Sequence, residues 1–296
     1  CLCATARKCI STMEKHLERR GTDMDGAFEQ DLPINGHRLH VQTIGRGTPL
    51  LLLMGLGAAG DKWAPNVAVY QNHFRCILVD NLGAGRSDKP HLDAYSVQQM
   101  ALDAAAVLDA LGVEKAHING ISMGGAIAQE LAIAHPDRVR SLVLTSTFAS
   151  VSNSFRTAIE TLRDNIDVMD KKSFKRLNQW MTFAQKTQNT RPEFLLEMAQ
   201  SDAEYPYPMP SYAYKAQCNA CLNHNTSNRL KQITAPTLVA AGACDLFVPH
   251  EKTMELCEKI PNATLYLCKD GGHVHEWEHL EDYNRVTLEF LMAHDE

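Results

Sequence analysis

The chain has 296 residues, enough for one large domain or a domain carrying an insertion. It is 45% hydrophobic and 22% charged with a net charge of −6, an ordinary globular composition that gives no support for a nucleic-acid partner. No apolar stretch approaches the roughly 20 residues of a membrane span, so a membrane partner is not expected either.

Residues 1–24 read as an appendage, with Ser11-x-x-Glu14 able to cap a short helix through Arg20. They lack the long apolar centre of a signal peptide. Cys1 is not a natural initiator, and Met13 and Met24 are candidate starts. The nine cysteines, odd in number and irregular in spacing, suit free thiols in a reducing cytoplasm.

From Phe28 the pattern alternates, and Asn35-Gly36 predicts a hairpin between a strand ending at Ile34 and one over 38–44. Leu50 to Met54 is a continuous apolar run, as in a parallel strand buried on both faces. Gly55-Leu56-Gly57-Ala-Ala-Gly60 follows it and matches the dinucleotide-binding pattern G-x-G-x-x-G, with Asp80 at the end of a strand over 74–80. Two features oppose that use. Pro65 would break the long helix such a site needs, and a hairpin precedes the strand. The alternative is an oxyanion loop, whose glycines let backbone N–H groups such as that of Leu56 face a reacting carbonyl. No cofactor is then expected.

A helix is predicted from Tyr95 to Leu111. A short strand over 115–119 then turns through Gly120-Ile121-Ser122-Met123-Gly124 into an Ala-, Leu- and Ile-rich helix that Pro136 stops. Strand, Gly-x-Ser-x-Gly, helix is the nucleophile elbow, and it makes Ser122 the candidate nucleophile. With the strand Val139–Thr145, the β-α alternation over 50–146 argues for an α/β, doubly wound, mostly parallel sheet.

Residues 148–233 break this rhythm. Helical patterns over 154–168, 172–187, 192–203 and 212–223 predict a helical insertion between core segments 25–147 and 234–296. Cys218-Asn-Ala-Cys221 lacks the second pair a zinc site would need and reads as two thiols on a helix. Strands over 236–242 and 263–268 follow, and a last helix over 278–293.

A serine nucleophile needs a base, and the base an orienting carboxylate. Two strand ends remain, carrying Asp245 and His273, so the order Ser122, Asp245, His273 follows the hydrolase pattern. Asp270 is a rival acid and His275 a rival base. His275-Glu-Trp-Glu-His279 also fits H-E-x-x-H, but a zinc protease needs a third ligand and another scaffold, so no metal is expected.

With these pieces in order, the chain over about 28–294 resembles the α/β-hydrolase superfamily. The resemblance rests on Met54 to Gly57, Asp80 to Asp88, Gly120 to Gly125, His135 to Val139, Gly242 to Pro249 and Gly272-His273. It implies Ser122 as nucleophile, His273 as base, Asp245 as acid, the N–H groups of Leu56 and Met123 as oxyanion hole, and the insertion as a cap. Within the superfamily it is most similar to small capped esterases and lactonases such as 3-oxoadipate enol-lactonase, which share the Gly-Leu-Gly loop before a tryptophan (here Trp63) and the Ser-Met-Gly-Gly elbow. Met54 stands where many members have histidine, which makes the pocket greasier. Met54, Trp63, Phe148, Trp180, Met181 and Val248 are the candidate pocket residues. The expected substrate is a small, largely apolar ester or lactone. Carbon–carbon bond hydrolases share the same triad, and a binding protein with an idle triad would share the same sequence pattern.

Overall fold

The structure is a computed structural model and describes residues 27–295. The expected appendage 1–24, with its Ser11 and Glu14 capping pair, lies outside them. Strands β1 (Phe28–Ile34) and β2 (His37–Ile44) form the expected hairpin. Asn35 (φ 47°) and Gly36 (φ 85°) both take the left-handed conformation that a two-residue turn requires. β2 pairs antiparallel with β4 (Phe74–Val79). From β4 the sheet is parallel through β3 (Thr48–Leu53), β5 (Ala116–Ile121), β6 (Val139–Thr145), β7 (Thr237–Gly242) and β8 (Ala263–Cys268).

The strand order is β1-β2-β4-β3-β5-β6-β7-β8. The chain winds one way from β3 to β4, then returns to β5 and winds the other way. The switch point lies between β3 and β5, and in open α/β sheets ligands bind at the carboxyl ends of strands there. The loop after β3 and the elbow after β5 both open at that place.

β3 shows why the run of leucines is continuous. Leu51 and Leu53 pack with residues of the helices Val97–Ala110 and Met123–Ala134, including Val107 and Leu131. Leu50 and Leu52 pack on the other face with Trp63, Val67, Tyr70 and Leu291, which lie on or beside the helices Ala64–Tyr70 and Leu280–Ala293. All four leucines are fully buried, each worth about 1.5–3 kcal/mol against exposure. Pro65 sits in the first turn of the helix Ala64–Tyr70, where its missing N–H costs nothing.

Five α-helices lie between β6 and β7: Asn153–Asn165, Lys171–Thr182, Gln185–Thr190, Pro192–Ala203 and Ser211–Asn223. The chain leaves and re-enters the core side by side, with a bridge between Ser150 and Asn225 and the Thr226 N–H on the Ala149 carbonyl (2.8 Å). Two expected helices are divided. The pattern over 172–187 is interrupted at Phe183, which is extended (φ −88°, ψ 141°). The pattern over 278–293 starts earlier, as His275–Glu278, and is interrupted at His279 (φ −124°, ψ 47°). Both interruptions flank the loop that carries His273.

Candidate active site

Ser122 sits between β5 and the helix Met123–Ala134 with φ 54° and ψ −118°, a conformation a non-glycine residue rarely adopts. Such strain costs on the order of 1–3 kcal/mol and persists only where packing over-determines it. Here the Ser122 N–H donates to the Thr145 carbonyl (2.9 Å), and Thr147 Oγ1 donates to the Ser122 carbonyl (2.6 Å). The turn leaves no space at its glycines. A Cβ on Gly120 would lie 2.4 Å from the Gly124 carbonyl oxygen, and one on Gly124 would lie 2.1 Å from that of Leu53. Met123 opens the helix, so its N–H has no intrahelical acceptor.

The glycine loop after β3 lies against the serine: a Cβ on Gly55 would be 3.2 Å from Ser122 Cβ and 3.8 Å from its Oγ. The loop is fastened on both sides of Leu56. The Gly55 carbonyl accepts from the Ala58 N–H (3.3 Å), and the Gly57 N–H donates to Gln217 Oε1 (2.9 Å). Asp80, the residue a dinucleotide fingerprint would aim at a ribose, is committed elsewhere. Its Oδ1 accepts from Gly60 N–H (2.6 Å) and its Oδ2 from Arg86 N–H (2.7 Å). Burial raises its pKa, and the two backbone bonds partly oppose that. The carboxylate therefore ties the backbone at Gly60 to that at Arg86.

Asp245 and His273 come together from the ends of β7 and β8. His273 Nδ1 is 2.8 Å from Asp245 Oδ2, and both side chains are buried. Asp245 Oδ1 accepts from the N–H groups of Phe247 and Val248, both at 2.9 Å. A carboxylate only accepts, so Nδ1 of the neutral imidazole carries the proton and Nε2 is left as the acceptor. The Phe247 ring stands edge-on to His273 with centroids 5.1 Å apart, and Phe155 stands edge-on to Phe247 at 5.2 Å.

The rival residues are engaged differently. Asp270 is exposed and pairs with Lys186 at 2.6 Å. His275 is fully buried, with Nδ1 3.2 Å from Ser146 Oγ, and burial pushes its pKa down to about 3. His275 and His279 do not share one helix, because His275–Glu278 ends before His279. That departs from the zinc-protease motif, which needs both on one helical face. Cys218 and Cys221 lie buried on the helix Ser211–Asn223, and burial pushes the Cys221 thiol up to about 12.

The candidate pocket residues divide. Met54, Met181 and Val248 are buried; Met54 directly precedes Gly55 and packs in the same core cluster as Leu50 and Leu52, and Val248 donates its N–H to Asp245. Trp63 is wholly buried in the core cluster that also holds Met54, Leu50 and Leu52. Phe148 is wholly buried, edge-on to Phe155 at 4.6 Å. Trp180 is 58% exposed, since its helix turns Phe174 and Met181 inward instead. Two further residues reach the glycine loop from the insertion. Gln217 holds Gly57 and donates Nε2 to the Leu82 carbonyl (2.8 Å), and the Tyr214 ring touches Gly57. Both sit on the helix Ser211–Asn223, whose docking on the glycine loop brings them there.

Comparison with known proteins bears on the fold and the family. A model of the alpha/beta hydrolase fold family matches residues 48–280. The RutD protein of Caulobacter sp. (strain K31), named as a carbamate hydrolase, is 30% identical over 86% of this chain and 94% of its own length. A 2-hydroxy-6-oxononadienedioate/2-hydroxy-6-oxononatrienedioate hydrolase of Comamonas testosteroni is 29% identical over 87% of this chain and 92% of its own. Among solved structures, Est816, described as an N-acyl homoserine lactone degrading enzyme, superposes with a TM-score of 0.77 at 28% identity, covering 88% of this chain and 100% of that one. Among the described residues no helix is long and apolar enough to cross a membrane. With an eight-stranded, mostly parallel sheet, a strained serine elbow at its switch point and a family match over most of its length, the chain belongs to the alpha/beta hydrolase fold family.

Proposed function

We propose that the chain is a serine hydrolase that cleaves a small, largely apolar carboxylic ester or lactone through an acyl-enzyme. The observation that carries this reading is the buried Asp245–His273 pair, whose tautomer leaves Nε2 as an acceptor, in a chain that also holds Ser122 in a strained elbow. His273 takes the Ser122 proton as Oγ attacks the carbonyl carbon. The N–H groups of Leu56 and Met123 hold the oxyanion, each worth roughly 10²–10³ in rate. His273 then gives its proton to the departing alkoxide, which leaves as the alcohol. In the second half it takes a proton from water, the hydroxide attacks the acyl carbon, and His273 returns the proton to Ser122 Oγ as the acid is released. Every proton in this sequence moves through His273, so neither a metal nor an organic cofactor is required.

The helical insertion acts as a cap in this reading, and Met54, Met181 and Val248 make an apolar lining. The lactone activity in the description of Est816 and the carbamate activity in the name of RutD both act on a carbonyl carbon, which supports acyl transfer here. Carbon–carbon bond hydrolysis by the same triad is the second reading, favoured by the Comamonas testosteroni relative. Turnover of p-nitrophenyl butyrate and of an N-acyl homoserine lactone tests the first reading against cleavage of a 2-hydroxy-6-oxo-dienoate. Multiple turnovers of the ester or lactone, lost in Ser122→Ala, are expected. Turnover of the dienoate alone would transfer the function to the second reading, and no turnover of any of the three would favour a binding protein.

A further inference from the structure

The interruption at Phe183 has a partner. The turn 182–184 of the insertion rests directly on the loop that carries His273. The Thr182 carbonyl accepts from the N–H groups of His273 (2.7 Å) and Val274 (3.3 Å). The backbones touch: a Cβ on Gly272 would lie 2.5 Å from both Thr182 O and Ala184 N. On its other side the loop meets the end of β7, where a Cβ on Gly242 would lie 2.1 Å from the Gly272 carbonyl oxygen. The loop is therefore pressed between the sheet and the insertion.

One side chain spans the contact. Glu278 Oε2 accepts from the Gly272 N–H at 2.6 Å, and its Oε1 accepts from the Ala184 N–H at 2.9 Å. Two backbone donors from segments nearly ninety residues apart share one half-buried carboxylate. Hydrogen bonds to a charged acceptor are roughly twice as strong as neutral ones. The Lys186–Asp270 pair joins the same two segments, but it is exposed at both ends and correspondingly weak.

We propose that Glu278 is a positioning residue: by clamping Gly272 and Ala184 together it fixes the backbone next to His273 and makes the insertion turn part of the base's support. The inference rests on the reading of His273 as the base. It also means that the insertion does not lift from this edge without moving the imidazole.

The test compares Glu278→Gln, Glu278→Asp and the control Lys186→Ala with wild type, using p-nitrophenyl butyrate. Glutamine turns an NH2 toward one of the two N–H donors, and aspartate is too short to reach both. A displacement of about 1 Å at a catalytic group costs on the order of 10² in rate. The expected result is a kcat lower by roughly 10- to 100-fold in the Glu278 variants with KM within about threefold. Lys186→Ala should stay within about twofold of wild type. A kcat within about twofold of wild type in a folded Glu278 variant overturns the proposal. So does a raised KM with unchanged kcat, which would make Glu278 a pocket residue only. Amide hydrogen exchange on the wild type gives a readout that no variant's folding can spoil. The Gly272 and Ala184 amides should exchange together, and Ala184 exchanging more than about tenfold faster overturns the clamp. Fluorophosphonate labelling separates the two claims. A wild type that takes no adduct overturns the triad and this inference with it, whereas a labelled wild type alongside a normal Glu278→Gln overturns this inference alone.

Discussion

Replacing Asp245 by asparagine is nearly isosteric, and the structure dictates what the amide must do. Oδ1 accepts from two backbone donors, Phe247 and Val248, while Oδ2 faces His273 Nδ1 at 2.8 Å. Asparagine keeps its carbonyl oxygen toward the two N–H groups. The opposite flip would set NH2 against both donors and lose two bonds at about 1–3 kcal/mol each. The amide nitrogen is thus left facing Nδ1, and it can only donate. That forces the ring proton onto Nε2, which can then no longer accept from Ser122. A wrong-tautomer histidine costs about 10⁴ in kcat, or about 5 kcal/mol of transition-state stabilisation. Steady-state hydrolysis of p-nitrophenyl butyrate reads kcat, and a circular-dichroism melt checks that the variant is folded. A folded Asp245→Asn that loses less than about tenfold in kcat would refute the tautomer reasoning and Asp245 as the orienting acid.

Gly124→Ala places its Cβ 2.1 Å from the Leu53 carbonyl oxygen and 2.8 Å from that of Met54, both backbone atoms that no rotamer can move. It should cost about 1–3 kcal/mol and lower Tm by several degrees in the same melt. Asp80→Asn leaves one of the Gly60 and Arg86 N–H groups without its acceptor, so denaturant unfolding should show a loss of about 1–3 kcal/mol. His224 is buried beside Glu130 and Arg229, and burial is the largest cause pushing its pKa down to about 4. The unfolded chain, with a histidine near 6.5, therefore takes up a proton that the folded chain refuses. Stability from this group is full above pH ~6.5 and falls as pH drops toward ~4, by about 2 kcal/mol at pH ~5. Urea unfolding at both pH values should show that loss in wild type and a smaller one in His224→Gln.

The legible parts of this molecule were those written in consecutive residues. Asn35-Gly36 forces a two-residue turn wherever it occurs between alternating strands, and the hairpin is there. Gly120 and Gly124 flank a serine because backbone passes within 2.1–2.4 Å of where their Cβ atoms would be, and that demand leaves its mark on five letters. The interruptions at Phe183 and His279 leave no such mark. Nothing in 172–187 forbids a continuous helix; the chain bends there because the Thr182 carbonyl is claimed by His273 and Val274. The orientation of the aromatic pocket candidates was hard to read for a related reason. Spacing identifies a helix or strand but not which neighbour covers each face, so Trp63 turned to the core and Trp180 to solvent. Gln217, Tyr214 and Glu278 act through long-range contacts, and no short motif announces them.

Acyl transfer in this protein requires an activated serine at the elbow. Intact-protein mass after treatment with a fluorophosphonate tests it most directly, on wild type and on Ser122→Ala. A single adduct on wild type, mapped to Ser122, and none on the variant are expected. A folded wild type that takes no adduct, or a variant labelled as readily as wild type, would contradict it.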